Sequence, residues 1–311
     1  MRLIFAGTPD VAVPSLEALV ASPHEVIAVV TQPDARGKRG KALHASPVKV
    51  AAEAHGIEVL TPASAKDPEF IDQIKDLKAD AAAVVAYGQI LTRELLDSVA
   101  HGWVNLHFSV LPQWRGAAPV QRAIMAGDEF TGASAFLLEE GLDTGPVIGT
   151  LTERIRPTDT SGVLLARLAE AGAPLLVGAL DALESGQASP VVQPDDGVSY
   201  AAKLNRDDAY VAWERPSHVV DRQVRGCTPA PGAWTTLPDG SVAKLGPVSP
   251  VIGSTTTVPG QVSFADGVVT VGTGTEQVAL STIAPAGKKP MDAAAWWRGA
   301  RLPEGSALGE A

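Results

Sequence analysis

The chain has little of what most often supplies chemistry or a compartment. It carries one cysteine, Cys227, in 311 residues, which excludes an internal disulfide and a cysteine-built zinc site and fits a reducing compartment. Its histidines, His24, His44, His55, His101, His107 and His218, form no H-E-x-x-H and no close ligand pair, so no metal is expected. The first strand-to-helix turn, "AGTPD", holds a single glycine, Gly7, where a dinucleotide fold would carry G-x-G-x-x-G. Ser109 lacks the G-x-S-x-G elbow of a serine nucleophile. The apolar run before Pro9 and Asp10 is too short for a signal segment, and no uninterrupted apolar stretch approaches membrane-spanning length. A soluble, cytoplasmic protein without a membrane partner is therefore expected. Positive charge is also scarce: 25 Lys and Arg face 35 Asp and Glu, for a net charge of −10. The long-range field repels phosphate and argues against indiscriminate binding to nucleic acid or anionic membranes.

What is present is ordinary globular material, 45% hydrophobic and 19% charged, enough for two domains with a large core. From Arg206 onward nine Lys and Arg nearly balance ten Asp and Glu, so the acidity lies in the first part of the chain. The exception there is "DARGKRGK", Asp34 to Lys41, a cationic loop on an anionic domain.

The first part alternates apolar runs with amphipathic stretches, the pattern of βαβ units and a mostly parallel sheet. "RLIFAG", "EVIAVVTQ", "IEVLTP", "ADAAAVVAYG" and "GWVNLHF" read as strands, with "SPVKVAAEAHG" a helix capped by Ser46 and opened by Pro47. A long helix over 160–185 closes this domain. The pattern then fades into a Pro- and Asp-rich connector, and beyond it short β-rich runs such as "AWTTL", "GQVSF" and "GVVTVGTG" suggest a small barrel or sandwich. The expected fold is a doubly wound, mostly parallel α/β domain at 1–187, a linker at 188–205 and a small, mainly β, OB-like domain at 206–311.

The polar residues of the first domain gather in "NLHFSVLPQWRGAAP", where an apolar strand ends. Asn105 and His107 are two apart on that strand, so their side chains leave the same face at the carboxyl edge of the sheet, where ligands of open α/β sheets bind. An amide N–H and an imidazolium can both donate to an oxygen that turns negative in acyl transfer. "EEGLDTGPVIG" sets Asp143 in a glycine-flanked turn. Its carboxylate can raise the His107 pKa and keep the ring protonated, or pass a proton through water. Taken singly, a strand-end histidine is usually structural and a turn aspartate usually a cap. Together they point to group transfer without a metal or a covalent intermediate.

These residues resemble the formyltransferase family that uses 10-formyltetrahydrofolate. The likeness runs from "FAGTPD" through "SPVKVAAE", "VVAYGQIL", "NLHFSVLPQWRGAAPVQRAI" and "GLDTG" to "SYAAKL" and "PAGKKPM". It implies transfer of the formyl group from the folate N10 to the α-amino group of methionine on initiator tRNA, with Asn105, His107 and Asp143 as the catalytic trio. It implies a folate pocket flanked by Tyr87, Gly88, Gln89, Ile90 and Leu91, with Ser109, Val110, Leu111, Pro112, Leu138, Glu139 and Gly141 beside it. It implies tRNA contacts from Arg36, Lys38, Arg39 and Lys41 in the cationic loop and from Lys288 and Lys289 in "PAGKKPM", with the second domain as a nucleic-acid fold. A monomer is the family expectation. Phe108 stands where the family often has a small residue, and Gln113 where a basic one is common. Trp296 and Trp297 are expected to pack on their own domain, and Arg115 to be structural. Within the same chemistry, a glycinamide ribonucleotide formyltransferase would lack the second domain and usually carry a histidine at the place of Phe136. A sugar-nucleotide formyltransferase would lack the cationic insertion, and a hydrolase would act on water. A non-catalytic tRNA-binding protein would have no need of the trio.

Overall fold

The computed structural model describes residues 1–36, 43–254, 258–303 and 305–309. Two compact units emerge from it, and the chain passes between them several times. The first comprises Met1–Pro119, Phe130–Arg154 and Leu165–Ala201; the second comprises Val120–Glu129, Ile155–Leu164 and Ala202–Ala311. Of the expected linker at 188–205, residues 188–201 pack with the first unit and 202–205 with the second.

The first unit is built on a seven-stranded sheet. Its strands are β1 (Arg2–Gly7), β2 (Glu25–Val30), β5 (Glu58–Leu60), β6 (Ala81–Val85), β7 (Trp103–His107), β8 (Phe130–Leu137) and β9 (Val147–Arg154), in the order β5-β2-β1-β6-β7-β8-β9. A separate two-stranded ribbon, β3 (Ala35–Arg36) with β4 (Leu43–His44), follows β2. From β5 to β7 the pairing is parallel, and β8 and β9 add antiparallel. The doubly wound, mostly parallel expectation therefore holds. The central strands β1 and β6 are buried along almost their whole length. That is why "LIFAG" and "AAAVV" are continuous apolar runs instead of alternating ones: helices cover both faces.

In chain order the α-helices up to residue 184 are α1 (Val13–Val20), α2 (Pro47–Ala54), α3 (Pro68–Asp76), α4 (Arg93–Leu96), α5 (Pro119–Ala126) and α6 (Ser161–Glu184). They start where the sequence says they should. In α2, Ser46 Oγ accepts the Lys49 N–H at 3.0 Å with Pro47 at the first helical position. In α3, Asp67 caps the Glu69 N–H at 3.1 Å. Each such cap satisfies a donor that the helix cannot, worth about 1 kcal/mol. On one face Phe70, Ile71 and Ile74 of α3 join Ile4, Val30 and Trp103 in the core. The Trp103 indole donates to Leu95 O at 2.8 Å, so burying it leaves no orphan N–H.

Helix α6 is long and apolar enough, by length and composition, to cross a membrane. Leu168, Ala169, Ala173, Leu176 and Leu180 along it are buried, which accounts for that composition. Gly172 lies against Leu106 of β7, and a Cβ there would come within 2.9 Å of the leucine side chain. Glycine thus lets the helix press on the strand that carries Asn105 and His107.

The second unit holds two four-stranded antiparallel sheets. One pairs Trp234–Thr236, Val242–Leu245, Thr282–Pro285 and Met291–Asp292; the other pairs Val248–Val251, Gln277–Leu280, Val268–Gly272 and Val262–Ala265. The mainly β expectation holds, with two helices added that the pattern does not show. Ser217–Gly226 packs Val220 and Val224 into the core, and Ala293–Ala300 follows Asp292, whose carboxylate caps the Ala295 N–H at 2.9 Å. Trp296 is buried in that core and Trp297 stacks on Phe264, as expected of them.

Candidate active site

β7 brings its two polar side chains to the edge of the sheet because both flanking strands fix its register. Asn105 pairs with Val84 on one side and Phe136 on the other, and His107 pairs with Ser134. Beyond their ends opens a cleft of about 550 Å³. Asn105, His107 and Asp143 all line it, together with the turn after β6 and the turn after β8. The Asn105 amide is half-buried and makes no hydrogen bond among the described residues.

His107 is held from one side only. Its Nε2 lies 2.9 Å from Trp114 O, and since a carbonyl only accepts, Nε2 carries the hydrogen. Nδ1 is then the nitrogen left to titrate, and it faces Asp143 Oδ2 at 3.7 Å. Burial is the largest influence on this ring and lowers its pKa below the ordinary 6.5, while Asp143 and the Trp114 carbonyl push the other way without prevailing. The resting imidazole is therefore neutral at pH 7. This corrects the expectation that Asp143 keeps it protonated: the ring is almost fully out of water, and one carboxylate beyond hydrogen-bond distance does not repay that desolvation.

Asp143 itself sits on left-handed backbone, φ 52°. Its Oδ2 accepts the Gly116 N–H at 2.7 Å, and its carbonyl accepts from Gln193 Nε2 at 2.7 Å. Gly116 also has positive φ, 121°, and a Cβ there would lie 2.9 Å from Ala201 O. Only glycine fits that approach.

The turn after β6 is equally tied down. Ala86 and Gly88 both have positive φ. The Tyr87 carbonyl accepts from Thr8 Oγ1 at 2.9 Å and Gln32 Nε2 at 3.2 Å. Gln89 spends its side chain on Ala65 N, Pro62 O and Gln32, which leaves backbone groups to face the cleft. Burial pushes the Tyr87 phenol up to about 12. Tyr87, Gly88, Gln89, Ile90 and Leu91 all line the cleft, as do Leu138, Glu139 and Gly141. Ile90 and Leu142 stand at it largely exposed, two apolar side chains that a bound molecule would cover.

Ser109, Val110, Leu111 and Pro112 do not line it. Ser109 is buried and donates to Gln113 O, while its own carbonyl and the Leu111 N–H are both engaged by Ser134 Oγ. Val110 lies over Gly132. The segment turns back onto β8 to satisfy its buried polar groups, so it supports the site from behind.

Arg36 is exposed on the β3–β4 ribbon, and Lys38, Arg39 and Lys41 lie outside the described residues. Lys288 and Lys289 are exposed in the turn after Thr282–Pro285. Arg115 is buried and structural, donating through Nε and Nη2 to Gln193 Oε1 at 3.1 and 2.7 Å. Sequence reasoning misses Gln193: it sits in "VVQPDD", with no periodicity to mark it. Among the described residues one His and carboxylate group lies close enough for a metal, His24 with Asp181 and Glu184. The Met1 α-amine already stands in it, 2.8 Å from Glu184 Oε1.

An amide, an imidazole and a carboxylate thus meet over the open edge of a doubly wound sheet. The formyl transferase family matches residues 1–180, and the formyl transferase C-terminal domain matches 203–301. The chain belongs to the formyl transferase family. Its full-length relatives include methionyl-tRNA formyltransferases from Streptomyces coelicolor, 56% identical over 311 residues with both chains covered completely, and from Thermobifida fusca, 55% identical over 310 residues with both again fully covered. Similar solved structures include WlaRD, a sugar 3N-formyltransferase in the presence of dTDP and 5-N-formyl-THF. It has TM-score 0.67 and 17% identity, with 93% of this chain and 99% of that one covered. HypX from Aquifex aeolicus, in complex with tetrahydrofolic acid, has TM-score 0.67 and 17% identity over 96% of this chain and 47% of its own. The present chain thus spans about half of HypX, and these two likenesses speak for the fold.

Proposed function

We infer that this chain transfers the formyl group of 10-formyltetrahydrofolate to the α-amino group of methionyl-initiator tRNA, for translation initiation. The observation that carries this is the meeting of Asn105, His107 and Asp143 in one cleft of a chain 54–57% identical, along nearly its whole length, to proteins named for that activity. The cleft suits a folate: a turn of fixed backbone at 86–91 offers hydrogen-bonding groups to a pterin edge, and Leu138 and Ile90 offer apolar walls.

The folate supplies the formyl carbon at N10. The chain supplies the rest. As the amine attacks, negative charge collects on the formyl oxygen, and the unengaged Asn105 amide is placed to donate to it. His107, neutral at rest, takes a proton from the amine at Nδ1, because Nε2 is committed to Trp114. Asp143 stabilises the imidazolium so formed, after which Nδ1–H is a donor toward the formyl oxygen or the departing nitrogen. The half-enclosed apolar floor strengthens each of these pairwise interactions relative to water.

On this reading residues 1–187 are the catalytic domain, and 206–311, joined through 188–205, serve tRNA binding. Arg36, Lys38, Arg39, Lys41, Lys288 and Lys289 contact phosphate, so binding weakens steeply with salt. The protein works as a cytoplasmic monomer. The test offers the purified protein 10-formyltetrahydrofolate with Met-tRNA, an amino-sugar nucleotide, glycinamide ribonucleotide or water as acceptor. Formyl-Met-tRNA is the expected main product; preference for any other acceptor overturns the reading. Arg39→Ala is expected to weaken tRNA binding, and unchanged binding removes the cationic loop from the interface.

A further inference from the structure

We propose that Gln193, acting with Arg115, is the positioning residue that sets the geometry of the His107–Asp143 pair. The proposal rests on the functional reading above for its kinetic consequences, and on geometry alone for the rest.

The side-chain amide of Gln193 is buried and fully used. Its two N–H groups donate to Asp143 O at 2.7 Å and Gly145 O at 2.8 Å, and its oxygen accepts twice from the Arg115 guanidinium. Two donors and two lone pairs exhaust what an amide can do. The polarity also fixes which way it faces, since the reverse orientation would set NH2 against a guanidinium. Gln193 thus clamps the turn that carries Asp143 to the side chain of Arg115.

Arg115 lies between the two contacts that aim the pair. The residue before it, Trp114, offers the carbonyl that holds His107 Nε2, and the residue after it, Gly116, gives the N–H that holds Asp143 Oδ2. Its own backbone is bound on both sides, N–H to Ser199 O at 2.9 Å and carbonyl to Ala201 N at 2.8 Å. One short segment therefore grips both members of the pair, and Gln193 is the side chain that joins it to the Asp143 backbone. The 3.7 Å separation between Nδ1 and Oδ2 is what this linkage holds. Asp143 needs the anchor because its left-handed turn is flanked by Gly141 and Gly145 and has no strand pairing of its own.

The decisive variant is Gln193→Glu, which keeps an acceptor for Arg115 but replaces both donors to the Asp143 turn with a charge that repels those carbonyls. Misplacement of the pair by about 1 Å is expected to lower kcat about 10²-fold. KM for 10-formyltetrahydrofolate should stay within about 3-fold, the change being confined to the transition state. By NMR, the His107 titration should move further below 6.5 as the carboxylate withdraws. Adding Asp143→Asn to Gln193→Glu should lower kcat no further than Asp143→Asn alone, since both act through one carboxylate. A kcat within about 3-fold of wild type, an unmoved titration, or losses that multiply in the double variant overturn the proposal. If Gln193→Glu does not fold, Arg115→Met with Gln193→Met removes the clamp without setting a charge against the Asp143 and Gly145 carbonyls. It must show the same kinetic and NMR changes. Should the wild type fail to formylate Met-tRNA, the functional reading falls, while the NMR titration still decides the role of Gln193.

Discussion

The two halves of the site are made in different ways. Asn105 and His107 stand on a strand paired on both sides, so the face they leave by follows from the alternation of β7, and the Trp114 carbonyl has only the His107 ring to fix. Asp143 stands on an irregular turn with positive φ, and its direction depends on Gly116 and Gln193, which come from distant parts of the chain. Regular structure places side chains through the repeat of the backbone. Irregular structure must place them one hydrogen bond at a time.

Breaking the strand half should cost most. His107→Ala removes the proton acceptor and is expected to lower kcat/KM for Met-tRNA formylation by about 10³-fold with the fold intact. A loss of only a few-fold would strip His107 of its role. Asp143→Asn breaks the turn half and should cost about 10²-fold, because the base remains but its cation loses support.

The same variant gives the contrast a pH signature. Burial sets the folded His107 below 6.5, whereas an unfolded histidine titrates near 6.5, so as pH falls the unfolded chain takes up its proton first. Stability is therefore full above 6.5 and declines as pH drops from there to the folded value. Asp143→Asn takes away an influence that raises the folded pKa, so the decline should continue to lower pH. Melting temperatures between about pH 8 and pH 5 read this directly. His107→Ala should abolish that part of the slope.

Gly116→Ala tests how far the turn half relies on distant chain. A Cβ at φ 121°, 2.9 Å from Ala201 O, is expected to cost about 1–3 kcal/mol in denaturant titration and to lower activity with it, since the Gly116 N–H is displaced from Asp143. The smallest effect belongs to Ser46→Ala, where loss of the α2 cap should cost about 1 kcal/mol and leave kcat unchanged.

The same contrast explains what is legible in the sequence. Continuous apolar runs mark β1 and β6, caps mark α2, and the two-residue spacing alone puts Asn105 and His107 on one face. Asp143 stands out by its glycine-flanked turn, and the likeness to a known family joins it to the other two. Gln193 gives no signal, because a residue that works through its amide in a Pro-rich stretch has neither periodicity nor a motif. The protonation of His107 is misjudged from sequence for a related reason: spacing shows who the neighbours are, but desolvation depends on everything packed around the ring. In the second unit, "SHVVDRQVRG" has only three apolar residues, all valine, which read more like strand than helix, and the helix forms because Val220 and Val224 find a core.

The path of residues 191–201 has a consequence for synthesis. Asn105, His107, Gly116 and Asp143 are all joined to the growing chain well before Gln193, so the Gly116 contact to the Asp143 carboxylate is available before the Gln193 clamp on the Asp143 backbone. While the protein is being made there is an interval in which all three side chains exist and the turn that carries Asp143 still lacks its Gln193 clamp. If Gln193 has the positioning role proposed for it, a proteolytic nick between α6 and Gln193 that frees this stretch is expected to leave all three residues in place and to slow turnover.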